Sequence, residues 1–267
     1  MTAIEIPTFC APRPLTPAWT VLPSWLPVPG LGALPVNCFL LKGPEPLLVD
    51  TGLAALGDDF IAALETQIDP AELRWIWLSH MDPDHVGNLS RLLARAPQAR
   101  IVTGFLGMGK LQLAGFDVAT VHVVQPGESF TAGGRRLNPL RPPYYDAPET
   151  LGFHDEADGV LFAADCFGAV LPGMVDATEQ IAANTLRDGL LTWTAIDAPW
   201  LAAADRAALG RCLAAFERLD SAWLLSAHLP PARDASHLTS LIADAYCGRE
   251  IAAADPFSIE RLAVASH

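Results

Sequence analysis

Short apolar runs broken by turn residues dominate the chain. NCFLLKG (37–43) and PLLVDTG (46–52) read as a strand pair, RWIWLSH (74–80) as a short buried strand, and RIVTG (100–104) as the strand after it. Between them, GDDFIAALETQI (57–68) has apolar residues at helical spacing and acids in its first turn. Asp69-Pro70 reads as a helix start, and GNLSRLLARAP (87–97) as a helix stopped by Pro97. This β-β-α-β-α-β opening follows 35 residues rich in proline (Pro12, Pro14, Pro17, Pro23, Pro27 and Pro29), expected to form extended edge strands and turns.

Further short strands with Gly-rich turns are predicted at 116–124, 133–140, 150–155 and 159–165. A helical stretch follows, in which 199–219 is the clearest helix, then a last apolar strand, SAWLLSAH (221–228), and one more helix. Strands feeding two sheets covered by helices predict an α/β fold, a four-layer αββα sandwich. No repeat or low-complexity linker divides the chain, so a single domain over 1–267 is expected, with its motif-bearing core at 35–230.

Composition narrows the possible partners. Of 267 residues 51% are hydrophobic and 18% charged, which excludes a disordered chain. Lys plus Arg number 17 against 30 Asp plus Glu, a net charge of −13. That balance argues against binding nucleic acid, whose phosphates want a basic face, and against an anionic membrane surface. No apolar run reaches the ~18 residues of a membrane span, and the N-terminus lacks the pattern of a secretion signal. The five cysteines are odd in number and dispersed, so neither a disulfide framework nor a zinc ribbon is expected. A reducing, cytoplasmic location is the expectation.

The chemistry is concentrated in Ser79-His80-Met81-Asp82-Pro83-Asp84-His85. Two imidazoles and two carboxylates sit at the end of a buried strand, and both are ligand types that first-row metals accept. Three other apolar runs also stop at a residue of this kind: PLLVDTG at Asp50, GVLFAAD at Asp165 and SAWLLSAH at His228. Parallel strands bring such ends to one edge. Capping and buried hydrogen bonding are the structural alternative, but four strand ends stopping this way is hard to explain by packing.

These motifs resemble the metallo-β-lactamase superfamily over about residues 35–230. Its signature is HxHxDH, then a His, an Asp and a His. The resemblance implies metal ligation by His80, Asp84, His85, Asp165 and His228, with Asp165 bridging two ions and Asp50 supporting the site without touching metal. Two positions depart from the pattern. Asp82 stands at the second His of HxHxDH. The middle His is also missing, and Asp146, within RPPYYDAPETLGF, is the best candidate to replace it, with Tyr144, Tyr145 and Glu149 weaker. His154 lies about 16 Å away along its strand, at about 3.3 Å per residue, and is rejected. The expected metal set is therefore His80, Asp82, Asp84, His85, Asp146, Asp165 and His228. No catalytic group beyond these ligands and no organic-cofactor site is identified.

Counting charge separates the chemistries. Three imidazoles and four carboxylates leave a pair of divalent ions near neutral, a poorer generator of hydroxide than a histidine-rich set. Such an oxygen-rich set suits iron or manganese more than zinc. HMDPDH thus looks like the iron-type group that includes the flavodiiron proteins, which carry HxExDH, bind two irons and reduce oxygen or nitric oxide. Asp82 is one methylene shorter than that Glu. The resemblance covers the core domain only. The chain ends at His267 without room for a flavodoxin domain, so a separate electron-donor protein is expected.

The leading expectation is a non-haem di-iron oxidoreductase that binds or reduces oxygen or a similar small oxidant. Zinc and manganese are the alternative metals for the site, and a metal-dependent hydrolase of an ester, thioester or lactone using a metal-bridging hydroxide stays open. So does a non-enzymatic protein with only the Asp84–His85–His228 position filled. A homodimer is compatible with the apolar segment around Trp193 and Trp200. Cys166 is expected to face away from the site as a core thiol, and His122 to be a core histidine. His154, His237 and His267 carry no signal, and GMGK (107–110) is too short for a phosphate loop.

Overall fold

The computed structural model describes residues 2, 4–233 and 235–248. The remaining positions of the expected 1–267 domain, His267 among them, lie outside the described residues. Strands β1 (Thr8–Phe9), β2 (Arg13–Pro14), β3 (Trp19–Val28), β4 (Gly32–Leu41), β5 (Leu47–Val49), β6 (Trp75–Trp77), β7 (Arg100–Thr103) and β8 (His122–Val123) make an eight-stranded sheet. Its order is β1-β3-β4-β5-β6-β7-β8, with β2 also paired to β3. Strands β9 (Phe130–Ala132), β10 (Arg135–Leu140), β11 (Gly152–Asp155), β12 (Val160–Phe162), β13 (Trp223–Ser226) and β14 (Leu229–Ala232) form a six-stranded sheet in the order β14-β13-β12-β11-β10-β9.

Strand periodicity of two sorts the apolar side chains into layers. Phe39, Leu41, Leu47, Val49 and Trp77 of the first sheet meet Phe153, Val160, Phe162 and Leu225 of the second between the sheets. Their neighbours Cys38, Leu40, Leu48, Ile76 and Leu78 point the other way, onto helices α1 (Gly57–Glu65), α2 (Pro83–Val86), α3 (Leu89–Arg95) and α4 (Phe105–Leu113). On the far side, Leu161 and Leu224 pack against α5 (Ala183–Asp197), α6 (Arg206–Glu217) and α7 (Ala235–Tyr246). Strands buried on both faces explain the continuous apolar runs in the sequence. The result is the expected αββα sandwich.

Two parallel pairings aim the chain at one rim. β5 and β6 run parallel in the first sheet, and β12 and β13 run parallel in the second. The loops that leave these strands carry Asp50, His80, Asp165 and His228. At that rim the Asn37 amide donates to Ser226 O at 3.1 Å and to Leu229 O at 2.7 Å, clasping one sheet to the other.

Several expectations needed correction. β3 is no edge strand, since it pairs with β1, β2 and β4. The strand expected at 116–124 is reduced to His122–Val123. Asp69-Pro70 starts only a one-turn 3-10 helix, Pro70–Glu72. The helix expected at 199–219 is broken: a 3-10 turn spans Pro199–Ala203, and α6 restarts because the Asp205 carboxylate accepts from Ala208 N at 2.6 Å. α4 was missed because Phe105, Leu106 and Leu113 are exposed and blur any amphipathic stripe.

Phe162 is fully buried between the sheets, its ring centroid 5.2 Å from that of Phe153 and 5.9 Å from that of Phe39. Phe162→Ala should cost about 3–5 kcal/mol of stability, read as a lowered urea midpoint with an unchanged m-value.

Candidate metal centre

Each rim histidine is held from behind. Asp50, buried at the end of β5 with φ 58, accepts from Ser79 N at 2.8 Å, from Ser79 Oγ at 2.8 Å and from His85 Nδ1 at 2.9 Å. Because Ser79 Oγ spends its proton on Asp50, it accepts from His80 Nδ1 at 3.0 Å. His228 Nδ1 donates to Pro35 O at 2.8 Å. With every Nδ1 engaged as a donor, the neutral form of each ring carries its lone pair at Nε2, the arrangement that metal-binding imidazoles need.

Those Nε2 atoms face Asp165. His85 Nε2 lies 3.2 Å from Asp165 Oδ1, while His80 and His228 Nε2 lie 3.4 and 3.3 Å from Asp165 Oδ2. Asp84 Oδ2 stands 3.4 Å from His228 Nε2 and 3.6 Å from His85 Nε2. Asp146 Oδ2 stands 3.8 Å from His80 Nε2. Ligand atoms of His80, Asp82 and Asp146 lie within 4.8 Å of one another, as do those of Asp84, His85 and His228. His80 Nε2, His85 Nε2 and Asp165 Oδ1 are buried without a hydrogen-bond partner. Such orphans are costly in a native interior, and a shared cation would satisfy all three.

The turn after β12 is bent to allow this. Ala164 and Phe167 flank the Asp165 turn with φ 49 and 68, left-handed values that cost of order 1–3 kcal/mol each outside glycine. Tyr144 is buried in the core, and its hydroxyl accepts from Phe167 N at 2.9 Å, pinning that turn. Trp193 packs edge-on against His228 with centroids 5.2 Å apart. A Cβ at Gly168 would come within 2.4 Å of the Trp193 ring, so only glycine admits the indole there.

Electrostatics follow from this crowding. Burial resists charging of His85 and His228, but Asp165 and then Asp84 outweigh it, holding His85 well above the ordinary imidazole range and His228 at about 9. Burial would raise Asp165, yet the three imidazoles hold it well below the usual carboxylate range. Burial raises Asp146, with Asp165 and Asp82 adding to it and His80 opposing.

All seven residues expected from the sequence meet at this rim, Asp82 on its exposed side. The weaker candidates go elsewhere. Tyr145 packs on Trp200, and the fully buried Glu149 carboxylate pairs with Lys110, which places GMGK inside α4. His154 sits opposite Leu161 in mid-strand and joins none of the described metal-type groups. Trp200, expected in the core or a pocket wall, is 42% exposed and lines a surface cavity with Arg141 and Tyr145. Cys166 is buried in the outer core beside Tyr144. One residue was missed. Asp197, at the end of α5, brings an oxygen within 4.8 Å of those of Asp146 and Asp165. Burial, then the Asp165 charge, pushes its pKa up to about 8. No pattern in the sequence marked it, because it ends a helix rather than a strand.

Comparison with known proteins agrees with this architecture. The family model described as ODP family beta lactamase matches residues 34–228. The type A flavoprotein fprA of Rhodobacter capsulatus is 34% identical over 137 residues, covering 50% of this chain and 32% of its own length. The flavo-diiron protein FprA2 of Clostridium acetobutylicum is 27% identical over 136 residues, covering 49% of this chain and 34% of its own. The aligned part is thus about a third of the length of these relatives. The solved structure of rubredoxin oxygen:oxidoreductase from Desulfovibrio gigas superposes with a TM-score of 0.77 at 18% identity. It covers 87% of this chain and 61% of that one, a likeness of fold.

The shifts fix how stability of the metal-stripped chain responds to pH. His228, at about 9 when folded against an ordinary ~6.5, contributes fully below about pH 6.5 and loses that contribution as pH rises through about 9. Asp197, raised to about 8 from an ordinary ~3.9, costs increasing stability as pH climbs between those values. Chelator-treated protein should therefore melt at a lower temperature at about pH 9 than at about pH 6.5 in calorimetry at fixed ionic strength. A flat or rising profile contradicts the assignment.

Proposed function

The chain belongs to the ODP family of beta-lactamase proteins, and from that membership and the donors at its rim we propose that it holds two iron ions and reduces oxygen or a similar small oxidant. The observation that carries this is the convergence of three Nδ1-anchored imidazoles on a bridging carboxylate, with His80 Nε2, His85 Nε2 and Asp165 Oδ1 left orphaned. One position takes His80, Asp82, Asp146 and Asp165. The other takes Asp84, His85, His228 and Asp165. When bound, the metal pair would relay electrons from an external donor and give the oxidant a place to bind.

The residues supply the rest. Asp165, with Oδ1 facing His85 and Oδ2 facing His80 and His228, would hold both ions, and Asp50 keeps His85 turned toward them. The buried His80, His85 and His228 exclude water from the inner side. Asp82 and Asp84 line the approach, where Asp82 is exposed and Asp84 is 23% exposed. Four carboxylates against three imidazoles favour a hard, redox-active ion over hydroxide generation on zinc. The printed names of the flavoprotein, flavo-diiron and oxygen:oxidoreductase relatives support the same reading. Electrons then come from a separate donor protein.

The reading extends to one domain working in a reducing cytoplasm. It also admits a homodimer. The cysteines are free, and no helix among the described residues is long and apolar enough to cross a membrane.

Protein purified without added metal should carry about two irons per chain and change its optical spectrum with oxygen. Two zincs with esterase turnover would defeat the proposal. Asp50→Ala, which removes the partner of His85 Nδ1, should weaken iron binding about 10–100-fold in an anaerobic titration. Unaltered affinity would exclude Asp50 as the residue that orients His85.

A further inference from the structure

We propose that Asp197 is a further ligand of the centre, making the His80 position a site of one nitrogen and four oxygens that selects a harder cation than its neighbour. The inference rests on the proposed function and concerns a residue outside the superfamily pattern.

Three observations carry it. Ligand oxygens of Asp146, Asp165 and Asp197 lie within 4.8 Å of one another. Two donors of one cation stand at most about 4.0–4.4 Å apart at the usual bond lengths, so shifts of less than about 1 Å per carboxylate close the set. The group is also aimed at by a buried orphan: His80 is fully buried, and its unpartnered Nε2 faces Asp165 Oδ2 at 3.4 Å and Asp146 Oδ2 at 3.8 Å. Finally, Asp197 occupies an electrostatically wrong place. It is the last residue of a 15-residue helix, whose carboxyl end is negative, and that last turn has no basic residue. Among the described residues no Lys or Arg pairs with Asp146, Asp165 or Asp197. A cation on the shared side removes all of these conflicts.

The helix is docked so that Asp197 reaches the rim. A Cβ at Gly189 would stand 2.2 Å from Val170 O, so glycine lets α5 lie directly on the segment following the Asp165 turn. Leu186, Leu190 and Ala198 anchor it in the core, and Pro199 stops the helix just beyond Asp197. The two positions then differ in kind. His85 and His228 with Asp84 and Asp165 offer two nitrogens and two oxygens. His80, Asp82 and Asp146 form one triad and Asp146, Asp165 and Asp197 another; a cation drawing on both through the shared Asp146 has one nitrogen and four oxygens to choose from, a set that favours manganese or iron over zinc.

The test is titration of the metal-free full chain with Mn(II), followed by electron paramagnetic resonance of the free ion, with Zn(II) competition. The wild-type chain should show two binding steps. Asp197→Asn should weaken one step by at least about tenfold, keep the other, and let Zn(II) displace Mn(II) more readily from the weakened step. Asp84→Asn should weaken the opposite step. Asp197→Ser is read beside Asp197→Asn with near-UV circular dichroism, and whichever keeps the native spectrum decides. Two steps unchanged in that variant overturn the role of Asp197 alone. A wild-type chain that binds no ion, or one, overturns the di-metal reading as well.

Discussion

Asp50 is a carboxylate with almost no contact with water, and its place in the fold depends on the donors that surround it: the Ser79 amide, the Ser79 hydroxyl and the His85 ring. A buried anion is tolerated only when its oxygens are satisfied in this way. In return it fixes two imidazoles, His85 directly and His80 through Ser79 Oγ. The left-handed backbone at Asp50 is the local cost of aiming that carboxylate inward. Without it the rim histidines would be free to turn, and the lone pairs that now converge would scatter.

The layers below the rim serve the same end. Side chains alternate between the inter-sheet core and the two helical layers, so the central strands are clamped on both faces. The parallel pairings of β5 with β6 and of β12 with β13 then decide which loop faces which. A site built from loops on a doubly clamped scaffold can be both irregular and well positioned. The strained Ala164 and Phe167 are held in the same manner, with Tyr144 bonded across the turn.

Much of this was legible in the sequence because strands and metal donors both leave local signs. Apolar runs ending at Asp50, His80, Asp165 and His228 announced the strands and the rim together. The four-layer fold followed from the order of those runs. Helix boundaries were less legible. The Asp205 cap split one expected helix, and the exposed apolar residues of α4 hid another. Asp197 was illegible for a different reason. Its proximity to Asp146 and Asp165 is created by docking α5 across Gly189, a long-range event with no local signature. Asp146 was found only by its distance from the rest of a known pattern.

The clasp made by Asn37 has a consequence for how remote sequence changes reach the centre. One amide group ties a strand of the first sheet to two carbonyls of the second, on either side of His228. The donors contributed by opposite sheets keep their mutual bite only while the layers do not slide. A change of side-chain volume deep in the sandwich, touching none of these donors, would thus be transmitted as shear and arrive at the rim as a different span between the donors of the two sheets. On the proposed di-iron reading, tuning of the centre is distributed through the packing of both sheets, with the amide at position 37 as the point where sliding reaches the donors.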